Sequence, residues 1–437
     1  MIRLCACFLV VLIYAAPSWS QGASDDLLTL NEAVRRAAED NFSVRMARND
    51  ARIAENDYSL GNAGFFPNLE LRAQESRTSF GRVMENQAVF GAAHTVDVSM
   101  NLSTTLFDGG GQLATYRRLG SERELAMLEA ARTTEAALAD VIVAYYDLVR
   151  QQEQVEVQRE AVSISEERVR IASLRRDLGS ASELEVRRAQ VDLNADRAAQ
   201  LRQEISLVDA RADFHQLLGG DGSPTFSVED TIRLDRTLLL DDLLAGAAAG
   251  NRTLERMRQA RESAEFATAE ERADWLPSIG LSAGYSFNDL TSQLGLPAGR
   301  APGLNYGVTA SWNVFDGFNR SRRIENAQVR LQNSELALEE ASTYVGTRIE
   351  SAYQNYRRSL DLVDLEQENV ALASFNVQVA LEQFRVGTIT SVELREVQSA
   401  FTSAELRFIT AQFEAARAQV ELQQLSGRLL QQVGISP

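Results

Sequence analysis

The chain repeats its own pattern after about half its length, and this duplication limits the folds open to it. A Phe-Asp-Gly tripeptide follows an alternating apolar run in each half, and a glycine followed by a small hydroxyl residue comes later at the same interval of 208 residues. The matched residues are Phe107, Asp108 and Gly109 with Phe315, Asp316 and Gly317, and Gly179 and Ser180 with Gly387 and Thr388. Several anchors in one order indicate an internal duplication, so we expect two copies of one structural unit.

A long stretch without proline follows each Phe-Asp-Gly. Residues 113–178 and 321–386 carry apolar residues at spacings of three, four or seven, which is a heptad-like helical pattern. Each stretch predicts a helix of about 65 residues, or about 100 Å at 1.5 Å per residue. Glycine then permits a tight reversal. A second helix is predicted to return over 182–218 and 391–433, so each half contains a long helical hairpin.

Each half begins with a further helix and two strands. The helices are predicted over 30–61 and 238–273, and Pro67 and Pro277 mark their ends. Strict alternation then predicts strands at about 68–79 and 95–107, and at about 278–288 and 304–315, with loops between them. Apolar residues share one face of these strands and small polar residues share the other.

Strands of this length and pattern suit a membrane β-barrel. The alternative is a small soluble sandwich, which would have to bury its apolar face against the same chain. The neighbouring helices already have partners in their own hairpins. Four strands cannot close a barrel, and open edges are not tolerated in lipid. We therefore expect the chain to oligomerise, with each copy contributing four strands.

The first 20 residues have the pattern of a secretory signal peptide. Arg3 precedes an apolar run over 4–16, and Ser18 and Ser20 match a cleavage site of two small residues. A membrane anchor is the alternative, but the run of about 13 residues is shorter than the roughly 20 that a spanning helix needs. Cys5 and Cys7 are the only cysteines, so the mature chain is predicted to lack disulfides and thiol sites.

Composition and motifs argue against several classes of function. The 61 acidic residues outnumber the 44 basic ones, which are all arginine, and the net charge of −17 disfavours a nucleic-acid partner. The two histidines, His94 and His215, are far apart in sequence, and the glycines at 109–111 lack the lysine of a phosphate-binding loop. We expect no catalytic site, no metal site and no cofactor.

Taken together, these features resemble the TolC-like outer-membrane efflux protein family. The resemblance rests on the repeated order of helix, strand pair, Phe-Asp-Gly, long helix, glycine turn and return helix, and it covers about residues 25–433. It implies a mainly α fold with membrane β-structure, in a homotrimer whose 12-stranded β-barrel continues into a 12-helix periplasmic α-barrel. The units would be a signal peptide (1–20), a first repeat (21–220), a connecting segment (221–237) and a second repeat (238–437).

The family resemblance also implies a function and a location. The protein would lie in the outer membrane, in contact with its lipid, and extend into the periplasm. It would act as the exit duct of a tripartite efflux pump or a type I secretion system, with a periplasmic adaptor protein and an inner-membrane transporter as partners. The alternative is a periplasmic coiled-coil adaptor or structural scaffold, but an adaptor has one long hairpin and this chain has two.

The resemblance places the closed periplasmic end at the two hairpin turns. Glu393 and Glu396 follow Gly387 on one helix face and stand where family members often have pore-facing acids. Three copies would form acidic rings that favour cations. Glu185 matches Glu393 in the first half, whereas Arg188 matches Glu396. The alternative is that these are solvated acids on an acidic helix.

The hairpin turns themselves, at Gly179, Ser180, Gly387 and Thr388, are expected to contact the adaptor, with plain reverse turns as the alternative. Some family members lock this end with a tyrosine and an arginine. Phe384 and Ile389 occupy those positions here and cannot form the same bonds, so we expect a gate held by packing or by other pairs.

Overall fold

The structure is a computed structural model that describes residues 26–84, 87–220, 226–229, 231–292 and 299–432. The predicted signal peptide lies outside these residues, as does part of the predicted connecting segment. The first half contains β1 (Asp26–Leu28), α1 (Leu30–Asp40), α2 (Phe42–Asp57), β2 (Asn68–Met84), β3 (Gln87–Phe107), α3 (Gly111–Asp177) and α4 (Glu183–Leu217). The second half contains β4 (Phe226–Val228), α5 (Leu240–Gly250), α6 (Arg252–Ala273), β5 (Ser278–Ser292), β6 (Gly299–Ser311), α7 (Asn319–Val386), α8 (Ser391–Leu425) and α9 (Leu429–Gln432).

The two long hairpins match residue for residue. Helix α3 has 67 residues and α7 has 68, and both helices of the second hairpin begin 208 residues after their counterparts. In each hairpin a glycine with positive φ reverses the chain, at Gly179 (φ 74°) and Gly387 (φ 84°). Glycine adopts this conformation without the clash that a Cβ would cause. The same length and turn chemistry in both halves produce two hairpins of equal reach.

The single helices predicted over 30–61 and 238–273 are wrong. Asn41 separates α1 from α2, and Asn251 separates α5 from α6. Each asparagine closes one helix and caps the next, because its side-chain oxygen accepts amide hydrogens of the following turn, at 2.9 Å from Ser43 and 3.1 Å from Leu254. The backbone groups at the end of one helix and at the start of the next are thus hydrogen-bonded. Apolar periodicity does not reveal this break.

Each asparagine also ties this break to the end of a long hairpin. The Nδ2 of Asn41 donates to the carbonyl of Leu217 at 2.7 Å, and that of Asn251 donates to the carbonyl of Leu425 at 2.8 Å. A glycine follows each of those leucines two residues later. A Cβ at Gly427 would lie 2.3 Å from the carbonyl oxygen of Gly250, so only glycine permits the approach. This turn also ends α8 at Leu425, before the predicted 433.

The four long strands form one antiparallel sheet in the order β2-β3-β5-β6. Both hairpins run further than predicted, because β2 and β3 pair up to Met84 and Gln87, and β5 reaches Ser292. The loops expected at about 79–95 and 289–303 are therefore wrong in large part. Backbone pairing continues there because an antiparallel ladder is held by main-chain groups and does not require alternating apolar side chains.

The last strand ends earlier than the predicted residue 315. Ser311, the final residue of β6, pairs with Ser278, the first residue of β5. Beyond Ser311 the chain has no ladder partner in β5, and the indole Nε1 of Trp312 instead donates to the carbonyl of Trp275 at 3.2 Å. The stretch from Trp312 to Phe315 is thus a short connection into α7.

The register places apolar residues in rows on one face of the sheet. One such row contains Leu71, Met100, Tyr285 and Leu304, and the adjacent row on the other face contains Arg72, Ser99, Ser286 and Gly303. The predicted division into an apolar and a polar face is confirmed. Leu71 and Leu304 are largely exposed in one chain, so the apolar face is not covered by the helices of that chain.

The long helices form a layer with the order α4-α3-α8-α7, since α3 packs against both α4 and α8, and α7 packs against α8. A large core lies where α1, the middle of α3 and α8 meet around Tyr145 and Phe413. Strands β1 and β4 pair in parallel beside it. In the part of the chain that the structure describes, no helix is both long and apolar enough to cross a membrane.

Candidate functional site at the ends of the long helical hairpins

The two glycine turns are closed by the same set of hydrogen bonds. Ser180 and Thr388 each return a backbone amide and a hydroxyl to the last turn of the preceding helix, at 2.8 and 3.0 Å to the Arg175 carbonyl and 2.9 and 3.0 Å to that of Gln383. The backbone bond is one of those that close glycine-terminated helices. The turns are compact, hydrogen-bonded ends and not extended loops.

Glu393 caps α8. Its carboxylate accepts from the backbone amide of Thr390 at 2.7 Å and from the Thr390 hydroxyl at 2.9 Å, while the hydroxyl accepts from the Glu393 amide at 3.2 Å. This reciprocal capping box holds the start of the helix. The backbone hydrogen bond from Thr390, and then the hydroxyl bond, lower the pKa of the Glu393 carboxyl, so the residue is charged at neutral pH. Glu396, one turn further on, is exposed.

Arg175 connects Glu185 to the turn of the second hairpin. The Arg175 Nη1 lies 3.8 Å from the Glu185 carboxylate. The Arg175 guanidinium also stacks over the ring of Phe384, with its central carbon 5.4 Å from the ring centroid. A Cβ at Gly387 would be 3.6 Å from the same guanidinium. One arginine of the first hairpin thus contacts an acid of its own hairpin and the aromatic ring and glycine turn of the other.

Phe384 cannot form the hydrogen bond of a tyrosine, and apolar packing surrounds its ring instead. It is fully buried in a set of six buried residues from both hairpins, which we call the tip cluster, and Ile389 packs against this cluster. The members are Ile171, Ala172, Val186, Ala380, Phe384 and Leu394. The positions expected to lack a polar lock therefore hold the hairpins together by apolar contact.

A group of buried and half-buried polar residues, which we call the polar cluster, lies beside the tip cluster and further from the turns. Its members are Ser165, Arg168, Asp192, Asp196, Arg395 and Gln398. Arg395 of the second hairpin contacts both carboxylate oxygens of Asp196 in the first, at 2.6 and 2.9 Å. The amide of Gln398 donates to the Ala161 carbonyl at 2.9 Å. Bidentate pairing of this kind fixes orientation as well as position.

The polar cluster joins the two hairpins within one chain, and the sequence analysis did not identify it. That packing or other pairs hold a gate stays a prediction. Arg395 and Gln398 lie 208 residues after Arg187 and Gln190, so at these positions the repeat is kept. One signal in the sequence was available, because Asp196 corresponds to Ala404 in the second half. The two halves differ at this position, as expected for a residue whose contact exists in only one half.

Further from the turns than the polar cluster, Glu405 lies half-buried on α8. Burial, and then the charge of Glu160 on α3, raise the pKa of Glu405 on α8 to about 7. Like charges disfavour the ionised form. The contact between the two hairpins thus combines an attractive polar cluster with an acid whose charged form is disfavoured.

The turns enclose an open groove of about 930 Å³ between the two hairpins. It is lined from the first hairpin by Leu184 and Arg188, and from the second by Thr388, Ile389 and Val392. Its lining includes apolar, arginine, hydroxyl and acidic side chains. Such a surface offers both apolar contact and hydrogen-bond donors to another protein.

The Phe-Asp-Gly tripeptides lie at the opposite end of the long helices, where strands become helices. Asp108 and Asp316 each accept the backbone amide of the residue four positions later, at 2.7 and 2.8 Å, and so begin α3 and α7. Gly109 (φ 75°) and Gly317 (φ 68°) make the turn between strand and helix. Phe107 is the last residue of β3, whereas Phe315 lies beyond β6 and packs edge-on against Phe318 at 5.4 Å.

Comparison with known proteins decides the family. The model of the outer membrane efflux protein family matches residues 33–220 and again residues 243–428, which is most of the chain in two halves. The chain belongs to the outer membrane efflux protein family. The predicted family and the predicted duplication are therefore both confirmed.

Relatives of this efflux protein family match over nearly the whole chain. Protein CyaE of Bordetella pertussis is 25% identical over 391 residues, which cover 88% of this chain and 81% of that protein. The outer membrane efflux protein BepC of Brucella suis is 20% identical over 402 residues, 92% of this chain and 86% of that protein. Among solved structures, the Campylobacter jejuni CmeC outer membrane channel has a TM-score of 0.75 at 15% identity, covering 97% of this chain and 94% of that one.

Family membership settles the choice between the functions considered from sequence. The protein is an outer-membrane efflux channel that extends into the periplasm, and it is not an enzyme. The periplasmic adaptor or scaffold is excluded by the same finding. The fold is mainly helical with β-hairpins, in two duplicated halves.

We expect the polar cluster to stabilise the contact between the hairpins. Asp196→Asn should lower the free energy of unfolding by about 1.5–3 kcal/mol, because Arg395 loses a charged partner in a partly buried site. Thermal unfolding of the detergent-extracted protein, followed by helical circular dichroism, measures the loss. Asp364→Asn is the matched control, because Asp364 pairs with Arg236 on the exposed surface and should cost about 0–1 kcal/mol. Equal losses in the two variants would contradict the role given to the cluster.

Proposed function

We propose that three copies of the chain form one continuous tube, with a 12-stranded β-barrel in the outer membrane and a 12-helix barrel in the periplasm. The observation that carries this proposal is the sheet order, in which β2 and β6 are edge strands. Unpaired main-chain groups cannot face lipid without a large free-energy cost. Pairing β6 of one copy with β2 of the next removes both edges, and a head-to-tail contact of this kind produces a closed ring.

The two faces of the sheet support the same arrangement. The row that contains Leu71 and Leu304 is apolar and exposed, as a lipid-facing surface requires, and the alternate rows contain polar and small residues suited to a water-filled interior. Trp312 and Val314 are exposed directly after β6, at the level where the strands end. Large aromatic residues are common at such a membrane boundary.

The hairpin ends form the periplasmic aperture of this tube. Glu393 and Glu396 lie in the first two turns of α8, and Glu185 lies in the first turn of α4, so all three acids belong to the closed end. Three copies would arrange these acids in rings around the axis. The capping box fixes the Glu393 carboxylate toward Thr390, which leaves Glu396 as the freer charge. Rings of carboxylates favour cations over anions.

Replacing the aperture acids tests this assignment. Glu396→Gln should lower the ratio of cation to anion permeability in planar bilayers and weaken block by multivalent cations. Glu393→Gln should have a smaller effect because the Glu393 carboxylate is engaged by Thr390. Asp364→Asn removes the same charge from the outer surface and serves as the control. If Glu396→Gln conducts like the wild type, the acids do not line the aperture.

We propose that the groove between the two turns receives a periplasmic adaptor protein, which joins the duct to an inner-membrane transporter in an efflux pump or a type I secretion system. The support is the combination of accessible turns and a groove with apolar and arginine side chains. Ser180 and Thr388 close turns whose backbone is already hydrogen-bonded, so a partner meets a preformed surface. Because Gly179 and Gly387 carry no side chain, nothing protrudes from the turns at these two positions.

A photo-reactive amino acid placed at Thr388, or at Ser180, should cross-link to the adaptor in intact cells. The same amino acid at Glu339, an exposed position in the first third of α7, is the control and should give no adduct. The adducts are detected on denaturing gels and identified by mass spectrometry. Cross-links from Glu339 alone, or from none of the three positions, would show that the hairpin ends are not the adaptor contact.

A further inference from the structure

A cavity of about 490 Å³ lies where the second pair of strands joins the long helix α7, and we call it the junction cavity. It is bordered by the end of α6, the first residues of β5, the last residue of β6 and the first turns of α7. Its charged lining consists of three arginines and three aspartates, which are Arg320, Arg322, Arg323, Asp108, Asp274 and Asp316. Neither the hairpin turns nor the lipid-facing rows of the sheet account for this concentration of charge.

Arg320 is the buried member of this lining. The residue is 5% exposed, its Nη2 donates to the carbonyl of Asn313, and its guanidinium stacks over the ring of Trp275, with the central carbon 4.8 Å from the ring centroid. The Nε of Arg320 has no hydrogen-bond partner among the residues that the structure describes. A buried donor without an acceptor is unfavourable, and more so on a charged group, so an acceptor placed in the cavity would stabilise it.

The other two arginines differ in how they are paired. Arg323 contacts the carboxylate of Glu271 at 3.0 Å and also the carboxylate of Asp274. Arg322 is exposed and lines the cavity, and within the described part of the chain its side chain forms no ion pair. Two of the three arginines therefore retain free donors.

The aspartates of the cavity already have donors. Asp108 and Asp316 each accept a backbone amide at the start of α3 or α7, at 2.7 and 2.8 Å, and Asp274 pairs with Arg323. The groups left without partners are thus arginine N–H groups, so a ligand must supply acceptor oxygens. Guanidinium groups bind carboxylates and phosphates through paired N–H···O bonds.

The first half of the chain shows that the junction itself does not need these arginines. Gln112 stands 208 residues before Arg320, and its amide donates to the carbonyl of Thr105 at 3.3 Å, as Arg320 does to the matching carbonyl of the second half. Where the second half has the exposed Arg322, the first half has Ala114, which is buried. A neutral amide and a methyl group are enough to join strand and helix, so the two arginine charges are additional to the fold.

The cavity opens on the polar side of the sheet. Ser278 and Ser311 line it, and their hydroxyl oxygens lie 2.8 Å apart. They begin the rows of polar and small residues that continue along the strands to Ser286 and Gly303. This is the side that faces the water-filled interior in the proposed tube.

We propose that the junction cavity binds an oxyanion, the phosphate or carboxylate group of a solute inside the duct, between Arg320 and Arg322. The placement of this site rests on the proposed tube, and the site adds a class of solute to it. Arg320 offers its Nε from a fixed, buried position, and Arg322 offers an exposed guanidinium. Three copies place three such sites around a duct whose chains each carry a net charge of −17. An anionic solute thereby finds a binding position in an otherwise repulsive protein.

Inorganic phosphate is the probe for this site. Exchanged for chloride at constant ionic strength, phosphate should raise the unfolding temperature of the protein in dodecyl maltoside in a saturable way. The variant Arg320→Gln/Arg322→Ala, which gives the second junction the residues of the first, should need at least about ten-fold more phosphate for the same rise, because it loses charged donors. Arg322→Ala alone leaves the buried side chain in place and should show a smaller change in the same direction.

The matched control is Arg358→Ala, which removes an exposed arginine further along α7 and should respond to phosphate like the unmodified protein. An equal response of the double variant and the unmodified protein, or no response of either, would overturn the inference. If phosphatidylglycerol added to the micelles stabilises the unmodified protein and phosphate does not, the ligand is a lipid headgroup and the inference is wrong.

Conductance tests where the site lies. In planar bilayers of phosphatidylcholine, phosphate added on the side of the β-barrel should interrupt the current of the unmodified channel, and the double variant should escape this block. A conducting channel that phosphate does not block would overturn the placement of the site inside the duct. A protein that binds phosphate in detergent but forms no channel would reject the proposed tube and keep the site.

Discussion

The rest of the structure depends on the unfinished β-sheet. Four antiparallel strands in the order β2-β3-β5-β6 carry an exposed apolar face and end in two edges, and neither property suits a chain on its own. Lipid covers the apolar face but does not satisfy the main-chain groups of an edge. We propose that another copy supplies the missing hydrogen bonds. The helices show the same feature. The outer helices of their layer, α4 and α7, expose apolar residues whose counterparts on α8 and α3 are buried.

At the far ends of the hairpins, apolar and polar contacts join the two halves of one chain. Phe384 contributes to an apolar tip cluster, Arg175 joins the two turns, and Arg395 and Gln398 bind Asp196 and Ala161 in the first hairpin. These contacts join the two hairpins within one chain. Between the same hairpins, burial, and then the charge of Glu160, raise the pKa of Glu405.

Much of the fold could be predicted because helix length, strand alternation and the repeat each appear as a pattern in the sequence. The long helices, the glycine turns and the apolar face of the sheet follow from spacing alone. The breaks at Asn41 and Asn251 did not, because each depends on a carbonyl about 175 residues away, at Leu217 or Leu425. The strand ends were misjudged because register, and not composition, decides where a ladder stops. The polar cluster was missed because its members come from three helices.

The number of chains in the purified complex tests the central claim most directly. Native mass spectrometry of the protein released from detergent should give three chains, because twelve strands and twelve long helices require three copies of four. The trimer should persist at dilution, since separation exposes four strands with two open edges. A stable monomer, or a ring of any other number, would contradict the account that the unpaired edges of this sheet determine the assembly.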